Sequence, residues 1–200
     1  MKQLIAVCMP VFLLSACVIH VGHSAAAEDL KHQKRQLQLN AAGLTELKAE
    51  TEAGDLKIMG VQGLSQIEVT ADLYASEDRP FTLSLEKQGS AAVLKAVGGP
   101  CVGICTGSSA YADLVVRVPA ELALTLEEGS GDIDIQGLNA DLMIEDGSGN
   151  LTVQGGRHLV LEDGSGNVSL TQLSGNLKVE DGSGDLFIRQ VAGTVQVEDG

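Results

Sequence analysis

Residues 122–150 read LALTLEEGSGDIDIQGLNADLMIEDGSGN, and residues 151–200 continue LTVQGGRHLVLEDGSGNVSLTQLSGNLKVEDGSGDLFIRQVAGTVQVEDG. The tripeptide Gly-Ser-Gly recurs at 129–131, 147–149, 164–166 and 182–184, at intervals of 18, 17 and 18 residues. Between these turns the apolar residues come in pairs two apart: Leu124/Leu126, Ile133/Ile135, Leu142/Ile144, Leu151/Val153, Leu159/Leu161, Val168/Leu170, Leu177/Val179, Leu186/Ile188 and Val195/Val197. Spacing of two with polar residues between is the pattern of a strand with one buried face. It makes no stripe at 3.6 residues per turn, and glycine punctuates every segment, so a helix is excluded. A repeat at a fixed period predicts stacked units. The expectation is an all-β, single-stranded parallel β-solenoid with about 18 residues and two short strands per coil, the coils stacking at about 4.8 Å. A narrow aliphatic interior leaves no room for rings, so Phe187, between Leu186 and Ile188, should point outward.

Composition supports this outline and excludes several functions. The 200 residues include 27 Asp and Glu against 13 Lys and Arg, a net charge of −14, with 24 Gly, no Trp and five Phe or Tyr. Phosphate neutralisation needs clustered Lys and Arg, so nucleic acid is excluded as a partner. Five aromatic rings leave little on which bases or sugars could stack. The 44% apolar content is ordinary for a folded chain and weighs against disorder.

The chain opens with MKQLIAVCMPVFLL, one early lysine followed by an apolar run from Leu4 to Leu14. That run is too short for a membrane span, which needs about 20 residues, and has the size of a secretory signal core. Leu14-Ser15-Ala16-Cys17 resembles the lipobox of bacterial lipoproteins. The resemblance implies cleavage after residue 16, lipid on Cys17 and a membrane as partner through that anchor. A plain signal peptide with an incidental Cys17 is the alternative. In a Gram-negative cell, Val18 in place of Asp points by the same analogy to the outer membrane. Residues 17–35 then read as lipidated cysteine and tether, and His20, His23 and His32 fall there without a fixed metal geometry. Two further cysteines, Cys101 and Cys105, lie in GGPCVGICTG. An exported pair predicts a disulfide closing this loop, with a redox pair or half a zinc site as the alternative.

Residues 36–200 form the expected repeat domain: irregular opening coils over 36–120, regular Gly-Ser-Gly repeats over 121–200. Gly54-Asp55-Leu56-Lys57-Ile58 matches Gly131-Asp132-Ile133-Asp134-Ile135, and further strands are expected at 44–50, 66–74, 81–87, 92–97 and 113–118. The segment YADLVVRVPAELALTLEEGSGDIDI, followed by EDGSGN and EDGSGD units, resembles the bacterial β-strand-repeat family of unknown function whose members often carry the label "putative adhesin". The resemblance covers roughly residues 36–200. It implies an exported repeat protein and supplies no catalytic residue or ligand. The final Val197-Glu198-Asp199-Gly200 begins one more such turn. Either the sequence is a fragment, or an uncapped coil leaves a strand edge open to self-association.

Acids repeat beside each turn: Glu127-Glu128, Glu145-Asp146, Glu162-Asp163, Glu180-Asp181 and Glu198-Asp199. Stacking would repeat these carboxylates along one edge, each neighbouring pair repelling by roughly 1 kcal/mol in water. Oxygen ligands of this kind suit calcium, and Glu128, Asp132, Asp146, Asp163, Asp181 and Asp185 are the candidate ligands. The nine-residue period is similar to that of calcium-binding β-rolls with consensus GGxGxDxUx. However, Thr152, Ser169 and Phe187 stand where that pattern has Asp, and only Asp134 keeps it. The alternative is a solvated acidic edge that keeps the protein soluble, and then no cofactor is needed. No enzyme is expected. The serines sit in identical turns without His and Asp partners, the paired acids read as exposed turn residues with nothing to raise a pKa, and His158 reads as a turn adjustment. The function expected is that of a lipid-anchored, non-catalytic scaffold in the bacterial cell envelope, adhesin-like, with a protein or envelope partner. A calcium-responsive module is the alternative.

Overall fold

The computed structural model describes residues 30–100 and 109–200. Cys17, Cys101, Cys105 and the leader lie outside the described residues. Among those described, the first half supplies β1 (Lys31–Asn40), β2 (Glu46–Ala53), β3 (Leu56–Val61), β4 (Gln66–Ala75), β5 (Phe81–Gln88), β6 (Ala91–Gly98) and β7 (Tyr111–Pro119). The repeats supply β8 (Ala123–Ser130), β9 (Ile133–Gln136), β10 (Leu142–Asp146), β11 (Leu151–Gln154), β12 (Leu159–Asp163), β13 (Val168–Leu173), β14 (Leu177–Asp181), β15 (Leu186–Val191) and β16 (Val195–Asp199).

The chain is all-β, but the expected single-stranded parallel solenoid is overturned. The strands form two mixed eight-stranded sheets, ordered β1-β4-β7-β3-β9-β11-β13-β15 and β16-β14-β12-β10-β8-β2-β6-β5. β1 with β4, β4 with β7 and β5 with β6 pair antiparallel. The physical reason is connection length. Only Gly89 and Ser90 separate β5 from β6, and Gly89 takes φ +65°. A two-residue link can close a hairpin but cannot cross over to a parallel neighbour. The first half also pairs directly with the repeats, since β2 runs parallel to β8 and β3 to β9. β1 begins at Lys31, so residues 31–35 belong to a sheet edge rather than to the expected tether. Its backbone pairs with β4 while most of its side chains face solvent. Exposure on both faces is why those five residues carry no alternation to read.

From β8 onward alternate strands pair in parallel, and the in-register rows build the core. Leu124, Leu142, Leu159 and Leu177 stack in one row, and Leu126, Ile144, Leu161 and Val179 in the next. Ile133, Leu151 and Val168 face them from the other sheet. All of these are at most 3% exposed. Burial of each such side chain contributes roughly 1.5–3 kcal/mol. Phe187 stands 45% exposed, outside the stack, with the Arg189 guanidinium 4.7 Å from its ring centre.

The Gly-Ser-Gly turns carry the chain from one sheet to the other. Gly131, Gly149, Gly166 and Gly184 all have φ between +139° and +146°. A Cβ on Gly149 would lie 1.8 Å from the Gly131 carbonyl oxygen, and one on Gly166 1.5 Å from that of Gly149. The third residue of each turn is therefore glycine on two independent grounds, backbone conformation and the close stacking of turn on turn.

Candidate acidic groove and its two side-chain ladders

The pairs Glu127-Glu128, Glu145-Asp146, Glu162-Asp163 and Glu180-Asp181 are divided by the strand pleat. In β10, Leu142, Ile144 and Asp146 are buried while Met143 and Glu145 are exposed. The same alternation puts Glu128, Asp163 and Asp181 on the inner face of their strands, at 6%, 5% and 4% exposure, with Asp146 at 4%. Parallel register sets them side by side: Thr51 opposite Glu128, Glu128 opposite Asp146, Asp146 opposite Asp163, Asp163 opposite Asp181. The expectation that the paired acids are all exposed turn residues is thus overturned for one acid in four of the pairs: Glu128, Asp146, Asp163 and Asp181. The signal was present in the sequence: continuing the period of two from Leu126, Ile144, Leu161 and Val179 reaches these four acids.

Burial changes their chemistry. Glu128 Oε1 accepts the Ser130 N–H at 2.9 Å, but its Oε2 and both carboxylate oxygens of Asp146, Asp163 and Asp181 are buried without a hydrogen-bond partner, as is Thr51 Oγ1. Loss of water pushes the Glu128 carboxyl up to about 8, helped by the Asp146 and Asp55 carboxylates and opposed by the Ser130 N–H. Burial also pushes Asp163 up to about 7, with the Asp146 and Asp181 charges adding to it. Asp146 is raised by burial first; the neighbouring Glu128 and Asp163 carboxyls, and then the nearby Ser148 N–H, oppose the rise, and the Asp132 charge adds to it.

Asp132 and Asp185, the other two candidate ligands, lie across the turns in a different ladder. Asp55, Asp132, Asn150, Asn167 and Asp185 follow one another, and each side-chain oxygen accepts the backbone N–H of the next. Asp55 Oδ1 accepts from Asp132 at 3.3 Å, Asp132 Oδ1 from Asn150 at 2.9 Å, Asn150 Oδ1 from Asn167 at 3.3 Å and Asn167 Oδ1 from Asp185 at 3.1 Å. The six residues named for calcium are therefore divided between two ladders. Among the described residues, no three His, Cys, Asp or Glu side chains converge at metal-ligand spacing. His158 belongs to a third stack at the opposite corner: its N–H donates to Asp141 Oδ1, its Nδ1 accepts the Asn176 N–H at 2.9 Å, and Asn176 Oδ1 accepts the Thr194 N–H. That role is structural. Arg157 at the same corner forks onto Asp141 at 2.7 and 2.6 Å, and these hydrogen bonds hold the Asp141 carboxyl down at about 2.

A groove of about 1080 Å³ runs across the ends of the second sheet, bordered by the inner acids and by Glu50, Glu52 and the outward-facing glutamates. Those glutamates form a row of their own: Glu127, Glu145, Glu162, Glu180 and Glu198 are consecutive register partners. Lys178 pairs with Glu180 at 2.5 Å and Lys95 with Glu50 at 2.7 Å.

No protein-family model matches the chain, and no curated protein matches it. Solved structures do. A "putative cell adhesion protein" from Clostridium sporogenes is 9% identical, covering 85% of this chain and 100% of its own, with a TM-score of 0.44. A "putative adhesin" from Bacteroides fragilis is 10% identical, covering 85% and 97%, with a TM-score of 0.37. Another "putative adhesin", from Parabacteroides distasonis, is 16% identical, covering 84% and 97%, with a TM-score of 0.25. All three of these structures are of bacterial proteins named for adhesion.

Proposed function

We propose that this chain is a non-catalytic, adhesin-like scaffold of the bacterial cell envelope, lipid-anchored through Cys17, that presents its acidic groove to a basic partner. The observation that carries the reading is the outward row Glu127–Glu145–Glu162–Glu180–Glu198, held in register by parallel pairing. Neighbouring rungs stand about 4.8 Å apart, so each pair of charges repels by roughly 1 kcal/mol even in water. Among the described residues, Glu127, Glu145 and Glu162 form no ion pair that would offset this. A segment carrying Lys or Arg at matching spacing relieves the repulsion on binding. The association is then fast and sensitive to salt.

The test is binding of a lysine-rich peptide to the full chain over a range of salt concentrations. The triple substitution Glu127→Gln, Glu145→Gln and Glu162→Gln is expected to weaken binding at least tenfold and to flatten its salt dependence; equal binding by the two proteins would sink the reading. Metabolic labelling with a fatty acid checks the anchor, because Cys17→Ser should abolish incorporation.

A second reading, calcium-responsive binding, is favoured by the same row, because adjacent exposed carboxylates can share one hard cation. It predicts a rise in melting temperature with millimolar calcium that magnesium and matched ionic strength do not reproduce, and that the triple variant loses. Self-association belongs to the first reading.

A further inference from the structure

The inner acids pose a problem of balance that the outer row does not. Among the described residues, seven carboxylate oxygens of Glu128, Asp146, Asp163 and Asp181 are buried with no hydrogen-bond partner. A carboxylate only accepts, so two stacked carboxylates cannot satisfy one another, and an isolated buried charge of this kind is costly. A proton placed on one of them turns it into a donor to the next. The arrangement suits this, because the four groups are consecutive register partners on one face. At the β2 end stands Thr51, register partner of Glu128, its Oγ1 buried and unpartnered. A hydroxyl can donate to the last acid without adding charge.

We propose that Glu128, Asp146, Asp163 and Asp181 form a proton-binding ladder, in which un-ionised carboxyls donate to their ionised neighbours from coil to coil and Thr51 closes one end. The surroundings favour protons on it. On the turn side, Asp55, Asp132 and Asp185 belong to the second ladder, with the neutral Asn150 and Asn167 between them. Beyond Asp55, the Asp113 carboxylate of β7 accepts the Asp55 N–H. On the same strands the outward neighbours are Glu127, Glu145, Glu162 and Glu180, with Glu198 on β16. From β2 come Glu50 and Glu52, the latter holding the Gly98 N–H at 2.7 Å. The cations Lys95 and Lys178 are turned to Glu50 and Glu180, and Lys57 to Asp134. Among the described residues, each charge named here is negative or already paired.

When the ladder releases its protons to solvent, up to four negative charges stand in line between the two sheets. The groove-side ends of β8, β10, β12 and β14 are where that repulsion acts. The groove therefore opens as pH rises. The sign follows from linkage. Groups whose pKa is raised in the folded state bind more protons there than in the unfolded chain, so stability falls as pH rises from the ordinary carboxyl range, about 4, through the raised values.

The test is infrared spectroscopy of the full chain across pH, alongside thermal melts. An un-ionised carboxyl band should persist above about pH 6, where exposed Asp and Glu are ionised, and fade in step with a falling melting temperature. The double substitution Asp146→Asn and Asp163→Asn should remove most of the band and flatten the pH dependence of the melt. Glu145→Gln with Glu162→Gln, on the outward face, should keep the band at pH 6 and lower only slightly the pH at which the band and the melting temperature fall. Absence of the band at pH 6 in the unsubstituted chain overturns the proposal even if the double variant does not fold. So does its loss in the outward variant. A calcium-specific stabilisation that abolishes the pH dependence, with no acid band, reassigns the ladder to a cation and overturns it as well. The inference is independent of the scaffold reading, since peptide binding reports on the outward glutamates and the infrared band on the inner acids.

Discussion

Two ladders stand on either side of the same glycine turns, a few residues apart in sequence, and reach opposite solutions. The ladder beginning at Asp55 sets the neutral Asn150 and Asn167 between its acids, and each of its first four rungs accepts a backbone N–H from the next. The ladder beginning at Glu128 carries acids alone, and only one of its eight carboxylate oxygens is paired, with the Ser130 N–H. Stacking identical side chains is thus not by itself stabilising. What decides the outcome is whether the next coil presents a donor, and at the outer rung the donor is the backbone itself. At the inner rung the strand ladder already uses the backbone N–H groups, so the donor must be a proton.

The comparison breaks most completely at the turns that hold both ladders. Gly166→Ala places a Cβ 1.5 Å from a carbonyl oxygen at φ +146°. The substitution should cost more than about 4 kcal/mol, or abolish cooperative unfolding in a denaturant titration. Next in size is a pair of substitutions with opposite signs. Asp163→Asn in the inner ladder should raise stability by about 2 kcal/mol at pH 8 and leave it nearly unchanged near pH 4, because the raised carboxyl is charged only at the higher pH. Asn150→Asp in the outer ladder should lower stability by about 1 kcal/mol at pH 8, since it removes an amide donor and adds charge beside Asp132. Chemical denaturation at the two pH values checks both. If the two substitutions shift stability in the same direction, the distinction between the ladders fails. Smaller is Arg157→Ala at the opposite corner. The Arg157–Asp141 pair is about half exposed, so solvent screens it and its loss should lower the melting temperature only slightly. That contribution is present above the ordinary carboxyl range and lost as pH falls toward about 2. Smallest is Gln190→Gly, which relieves a left-handed backbone at φ +53°. Glycines 137 and 155 occupy the matching position after β9 and β11, while Gln172 in β13 shares the left-handed backbone at φ +60°; the gain should be about 0.5 kcal/mol, visible as a small rise in melting temperature.

The parts of the fold written as spacing were legible. All nine apolar pairs became β8 to β16, in the register their period implies. The parts written as connection length were misread: Gly89-Ser90 between two alternating runs is a hairpin, and it excludes a uniformly parallel winding. β1 was hidden because an edge strand exposed on both faces carries no apolar rhythm until Leu37 and Leu39. The acids of the site were recognised as a repeating set, but their two faces were not separated. The period of two through Leu142 and Ile144 reaches Asp146 at its next step, but a charged residue is ordinarily assigned to solvent. Side-chain acceptance of backbone N–H groups by Asp and Asn, the feature that makes the outer ladder structural, has no signature beyond the recurrence of those residue types.

The parallel register of the repeats also makes the molecule a ruler. Each unit of 17 or 18 residues adds one rung to every row and advances the stack by a single strand spacing of about 4.8 Å. The length of the groove and the number of its charges are therefore counted by the same integer. A gene that gained or lost one whole unit would change reach and charge together, in fixed steps, without disturbing the pairing of any strand that remained.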